Sequence, residues 1–118
     1  KNNEEIILPY EPEWARSNWQ SFCIRISPKI NRKELMNEFI RLGIASKRGT
    51  MCSHLEPAYI KEEWSTGAGK KDLGKLKESA RATRETILIP LYPNITFSQQ
   101  KTVVKHLINL INSFSTNY

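Results

Sequence analysis

A guanidinium, a thiol, an imidazole, a carboxylate and a phenol crowd into one short stretch, Arg48-Gly49-Thr50-Met51-Cys52-Ser53-His54-Leu55-Glu56-Pro57-Ala58-Tyr59. The stretch has neither a helical nor a strand period, and a glycine and a proline interrupt it. Polar groups gathered in a loop between regular elements are where binding residues tend to sit. Each has two readings. His54 can contact a ligand through either ring nitrogen, or hold a packed loop together. Arg48 can fork onto a phosphate or carboxylate, or stand in solvent beside Lys47. Glu56 can accept from hydroxyl groups or pair with a lysine. Tyr59 can lay its ring against a ligand or enter the core. Pro57 and Ala58 read as packing.

Two sharper chemistries fit less well. Cys52 and His54 are both metal-competent, but a closed zinc site needs about four ligands. The remaining candidates, Cys23 and His106, fall in a strand and a helix pattern without the usual paired spacing. The reading therefore assigns no metal. Cys52 with His54 or His106 could form a nucleophilic pair. Nothing nearby in sequence supplies an orienting third group or an oxyanion hole. Ser65-Thr66-Gly67-Ala68-Gly69-Lys70 superficially resembles a phosphate loop, but Trp64 stands where the first glycine is required and Lys71 replaces the serine or threonine.

Regular elements must position the loop. Phe22, Ile24 and Ile26 alternate with Cys23 and Arg25 and predict a strand ending before Pro28, with Cys23 buried. Asn31 followed by Glu34 has capping-box spacing. Leu35, Met36, Phe39, Ile40 and Leu42 then make one apolar stripe, and Gly43 is a stop. Ile44-Ala45-Ser46-Lys47 predicts a short second strand. After the loop come a helical turn around Pro57 to Glu62, a flexible connection, and a modest helix from Leu73 to Thr83. Ile87-Leu88-Ile89 predicts a third strand, bounded by Pro90 and Pro93. Thr96 with Gln99 forms a second capping box. Val103, Val104, Leu107, Ile108, Leu110, Ile111 and Phe114 give the last helix the broadest apolar face, so it is expected to dominate the core. The predicted fold is α+β: a small, mostly antiparallel sheet covered on one face by helices. Residues 1–19 read as an entry segment continuing from something upstream, because Pro9 and Pro12 oppose regular pairing. The domain proper is expected over residues 20–118.

The chain has 118 residues, 39% hydrophobic and 25% charged, which fits one globular domain and no more. No apolar run approaches a membrane span, and no secretory leader opens the sequence. Two cysteines make no disulfide framework, so a reduced, cytoplasmic protein is expected. Asn94-Ile95-Thr96 matches a glycosylation sequon that carries no weight there. The formal net charge of +6 raises nucleic acid as a partner. However, the run Lys70-Lys71-Asp72-Leu73-Gly74-Lys75-Leu76-Lys77 lacks aromatic stacking platforms. A basic RNA-binding sandwich stays as an alternative, weakened by the absence of a ribonucleoprotein-type aromatic signature. Attraction of a small anion uses the same charge.

Three segments carry a resemblance. Gly43-Ile44 followed by Arg48-Gly49-x-Met51-x-x-His54-x-Glu56-Pro57-Ala58-Tyr59 resembles the C-terminal domain of the DegT/DnrJ/StrS sugar-nucleotide aminotransferases. Glu85-Thr86-Ile87-Leu88-Ile89-Pro90-Leu91-Tyr92-Pro93-Asn94-Ile95-Thr96 is similar to that family's strand, proline turn and threonine-capped last helix. Ser17-Asn18-Trp19-Gln20-Ser21-Phe22 looks like its entry into the small domain.

The resemblance implies an enzyme dependent on pyridoxal 5'-phosphate, held on a lysine of a large upstream domain. It would aminate a nucleotide-linked keto-sugar from an amino-acid donor, often glutamate. It also implies a homodimer, with the small domain closing the substrate side. His54, Glu56 and Tyr59 would line that side, with Arg48 and Met51 matching less firmly. Trp19 is a candidate for stacking on a nucleotide, or for packing. This chain shows no candidate for the large domain or its lysine. It is therefore expected to be inactive alone, to bind no cofactor alone, and to have no membrane or sequence-specific nucleic-acid partner. A non-catalytic binding module with the same fold is the other alternative.

Overall fold

The computed structural model describes residues 4–59 and 76–115. Among the described residues, four strands pair throughout in antiparallel fashion: β1 (Ile6–Ile7), β2 (Phe22–Ile26), β3 (Lys47–Arg48) and β4 (Thr86–Ile89), in the spatial order β1-β2-β4-β3. Three α-helices accompany them there: α1 (Arg32–Arg41), α2 (Lys77–Glu85) and α3 (Phe97–Ser115). The α+β architecture expected from the sequence is the one observed.

The strand count differs from the expected three. Ile6 pairs with Ile26 and Ile7 with Arg25, so the apolar run ahead of Pro9 joins the sheet edge. Pro9 and Pro12 end the pairing after two residues but do not prevent it. The strand expected over 44–47 is displaced. Ile44 is buried and closes α1, and pairing begins only at Lys47, opposite Leu88.

The ends of α1 follow local chemistry. Asn31 Oδ1 accepts from the backbone N–H groups of Lys33 at 3.1 Å and Glu34 at 3.3 Å. At the other end Gly43 takes φ +71°, a conformation that costs glycine little. The Ile44 N–H then donates to the Phe39 carbonyl at 2.8 Å, and the Gly43 N–H to Ile40 at 3.0 Å. That pair of bonds is the Schellman closure. It also drives Ile44 into the core beside Phe39. The start of α3 is a complete capping box: Gln99 N–H donates to Thr96 Oγ1 at 3.2 Å, and Thr96 N–H donates to Gln99 Oε1 at 2.8 Å. Before it, Tyr92-Pro93-Asn94-Ile95 is a turn closed by Ile95 N–H on the Tyr92 carbonyl. Asn94 has φ 69°, as the third residue of a type II turn requires.

Ile24 and Ile26 of β2 and Ile87 of β4 share one sheet face. They pack with Leu35 and Phe39 of α1 and Val103, Leu107 and Ile111 of α3. The stripe that is actually buried is narrower than the sequence implied. Ile40, Leu42, Val104 and Ile108 are exposed, and Phe39 of α1, not a residue of α3, heads the fully buried side chains by volume. Cys23, expected to be buried, is only half-buried, because it points to the opposite sheet face.

The helix expected over 73–83 is observed over Lys77–Glu85, and it runs directly into β4. Glu85 meets Arg25 at 3.7 Å on that opposite face. The connection around 65–70, the basic run through Lys75 and the turn residues beyond Tyr59 lie outside the described residues. Among the described residues, no helix is long and apolar enough to cross a membrane.

Candidate functional site

The loop that leaves β3 is fastened at its start and again at Cys52. At its start, Gly49 N–H donates to the Thr86 carbonyl at 3.2 Å, extending the β3–β4 pairing by one bond. Thr50 N–H then donates to Thr86 Oγ1 at 3.0 Å. Gly49 lies so close to β4 and β2 that an added Cβ would stand 2.6 Å from Thr86 Cβ and 2.8 Å from Cys23 Sγ. The glycine there is a matter of approach, not of turn conformation.

Two residues later Cys52 inserts its side chain, leaving 3% of the residue exposed. A 3-10 turn over Ser53–Leu55 follows, with Leu55 N–H on the Cys52 carbonyl and Glu56 N–H on Ser53. A further turn places Tyr59 N–H on the Glu56 carbonyl at 2.9 Å.

On this frame His54 and Glu56 are half-buried, while Arg48, Met51 and Tyr59 are exposed. All five sequence-derived candidates of the loop therefore lie on one contiguous, backbone-anchored segment. Trp19 is elsewhere: its ring stacks on Phe22 at 5.7 Å and 24°. Trp19 holds φ 47°, an uncommon conformation for an aromatic residue.

The His54 ring rests on Cys52, whose sulfur is 3.0 Å from Nδ1 and 3.6 Å from Nε2. One atom close to both nitrogens cannot lie along the lone-pair direction of either. The contact supports the ring by packing and does not select a tautomer. It also keeps the thiol under the imidazole and away from solvent, a poor placement for a nucleophile. Among the described residues, no three histidine, cysteine or acidic side chains converge to hold a metal ion.

Arg32, at the start of α1, was not singled out by its sequence context. Its Nη1 donates to the carbonyls of Thr83 and Thr86, the latter at 3.3 Å, and so satisfies the orphaned end of α2. Burial, and then the nearby Arg48 charge, lower its pKa below the ordinary guanidinium value. The Arg48 charge thus acts on Arg32. The Arg32 contact spans 51 residues, and no local pattern in the sequence announces it.

A family model described as the DegT/DnrJ/EryC1/StrS aminotransferase family matches residues 1–108. The chain belongs to that family. Solved structures agree on the fold of this aminotransferase domain. The aminotransferase TlmJ from Streptoalloteichus hindustanus matches with a TM-score of 0.75 and 20% identity, over 94% of this chain and 27% of its own. A DegT DnrJ EryC1 StrS aminotransferase from Brucella abortus matches with a TM-score of 0.68 and 20% identity, over 90% of this chain and 26% of its own. The chain spans about a quarter of the length of either. No curated protein matches it.

Aminotransferases of this family generally depend on pyridoxal phosphate. The described residues do not fit that cofactor. Lys29, Lys33, Lys47, Lys77, Lys101 and Lys105 are all exposed. A concavity of about 760 Å³ between the sheet and α3 is lined mainly by apolar side chains such as Ile6, Phe22, Ile89 and Ile108. It offers no lysine to form the covalent link and no array of donors for a phosphate.

Proposed function

We propose that the chain is the C-terminal small domain of a pyridoxal-phosphate aminotransferase that transfers an amino group from an amino-acid donor, glutamate, to a nucleotide-linked keto-sugar. The upstream large domain of the same polypeptide holds the cofactor, which supplies the electron sink for nitrogen transfer. The Arg48–Tyr59 loop closes the sugar side of the site, in a cytoplasmic homodimer. The observation that carries this reading is the family match together with the placement of the matched residues. The polar Arg48–Tyr59 segment is bound to the sheet through the Gly49 and Thr50 N–H groups, both of which donate to Thr86.

Each loop residue has a task in this reading. His54, half-buried and braced by the Cys52 sulfur, presents ring nitrogens to a sugar hydroxyl or carbonyl. Glu56 accepts from hydroxyls. Tyr59 offers an apolar ring face with a polar tip, which suits a sugar. Arg48 attracts the diphosphate, assisted by the charge of Arg32 behind it. Met51 lines the entrance, and Trp19 is available to a base at the far end of β2. No membrane surface or specific nucleic-acid sequence enters this account.

The test is nitrogen transfer by the complete enzyme. With ¹⁵N-glutamate and a nucleotide-linked keto-sugar, the label is expected in a nucleotide-linked amino sugar by mass spectrometry. Label that remains in the amino-acid pool while other keto acids are aminated would overturn the sugar assignment.

A further inference from the structure

We infer that Thr86 is a positioning residue for the sugar-nucleotide site, acting through the loop that it anchors; the inference rests on the function proposed above. Thr86 follows the last residue of α2 and opens β4. Both of its polar oxygens are committed. Its hydroxyl donates to the Ala82 carbonyl at 2.6 Å, which fixes the hydrogen toward the helix. The lone pairs then face the other way and accept the Thr50 N–H at 3.0 Å. Its carbonyl accepts from Gly49 N–H at 3.2 Å and from Arg32 Nη1 at 3.3 Å. A hydroxyl has one proton to give, so the bond to Ala82 determines which side is left for Thr50.

The consequence is a short physical chain from helix to site. The end of α2 orients the Thr86 hydroxyl, and the hydroxyl holds Thr50. Two residues on, Cys52 is buried and supports the His54 ring. The loop thus has two anchors, one polar and one apolar. The polar one comes from a residue 36 positions away in sequence. Removing the hydroxyl while keeping the side-chain shape, as Thr86→Val does, leaves the Thr50 N–H without its partner. The loop start is then held only through Gly49, and His54 moves relative to the sheet. A small displacement of a substrate-orienting group is enough to slow a positioned reaction.

The experiment compares Thr86→Val and Thr86→Ser in the complete enzyme by hydrogen exchange and by steady-state kinetics. Thr86→Val is expected to speed amide exchange in the peptide spanning 49–59 and to lower kcat/KM for the sugar nucleotide by about tenfold. The kcat/KM for the amino donor should stay near the parent value. Thr86→Ser, which keeps the hydroxyl, should recover most of both losses. A merely structural role predicts equal losses for the two substrates. Unchanged exchange in 49–59, a serine variant as impaired as the valine variant, or equal kinetic losses each overturn the inference. If the parent enzyme does transfer nitrogen to the sugar, such a result removes Thr86 alone. If the parent enzyme does not, the proposed function fails first, and this inference fails with it.

Discussion

Phe39→Ala is expected to lower the folding free energy by about 3–5 kcal/mol, the range for truncating a buried phenylalanine. Phe39 is fully buried, the first by volume among such side chains, and sits where α1 meets β2, β4 and α3. The loss has two parts, the apolar transfer of the ring and the cavity left behind it. The carbonyl of Phe39 also accepts the Ile44 N–H that closes the helix, so the site has little freedom to collapse around a void. Reversible denaturation should show a lower midpoint with an unchanged slope. A loss within measurement error would place the core elsewhere.

Gly49→Ala is expected to destabilise the fold as well, although it adds a single methyl group to a loop. The new Cβ would stand 2.6 Å from Thr86 Cβ and 2.8 Å from Cys23 Sγ, so something must move. Thr86 is held by Ala82, Thr50, Gly49 and Arg32, and it is the end of a helix as well as the start of a strand. The loop is therefore the partner that gives way. Overpacking of this kind costs about 1–3 kcal/mol. The loss should come with faster amide exchange at Gly49 and Thr50 and with weakened β3–β4 pairing. Retention of parent stability and exchange would show that the loop does not rest on β4 as described.

The features legible in the sequence were those with local causes. Asn31 and Thr96 cap the helices they were expected to cap, because a side chain reaching two or three residues along the chain needs no tertiary partner. Gly43 ends α1 by an equally local cause, its positive φ. The alternation over Phe22–Ile26 gave the face of β2 correctly, because strand period alone determines it. Tertiary packing decided the rest. Ile40 and Ile108 have the residue type and spacing of core positions, yet neighbouring elements leave them exposed. Pro9 argued against pairing, but two residues ahead of it were enough to extend the sheet.

The candidate loop was visible because polar chemistry, glycine and proline coincide in it. Its anchors were not, because Thr86 and Arg32 reach it, or the helix end behind it, across dozens of residues. No periodicity reports such contacts. Thr86 lies between the predicted helix and the strand predicted over Ile87-Leu88-Ile89, and nothing local in the sequence marks it as an anchor.

The measurement that bears most directly on the account is kinetic, on His54→Ala in the complete enzyme. Donor and acceptor react at separate times in such an enzyme, so kcat/KM for each reports its own half of the reaction. If His54 orients the sugar nucleotide, kcat/KM for that substrate should fall roughly 5- to 100-fold, the equivalent of about 1–3 kcal/mol for a lost hydrogen bond with its partner left unpaired. The value for the amino donor should remain near that of the parent. Unchanged kcat/KM for the sugar nucleotide in a stably folded variant, or equal losses for both substrates, would contradict the placement of this loop on the sugar side.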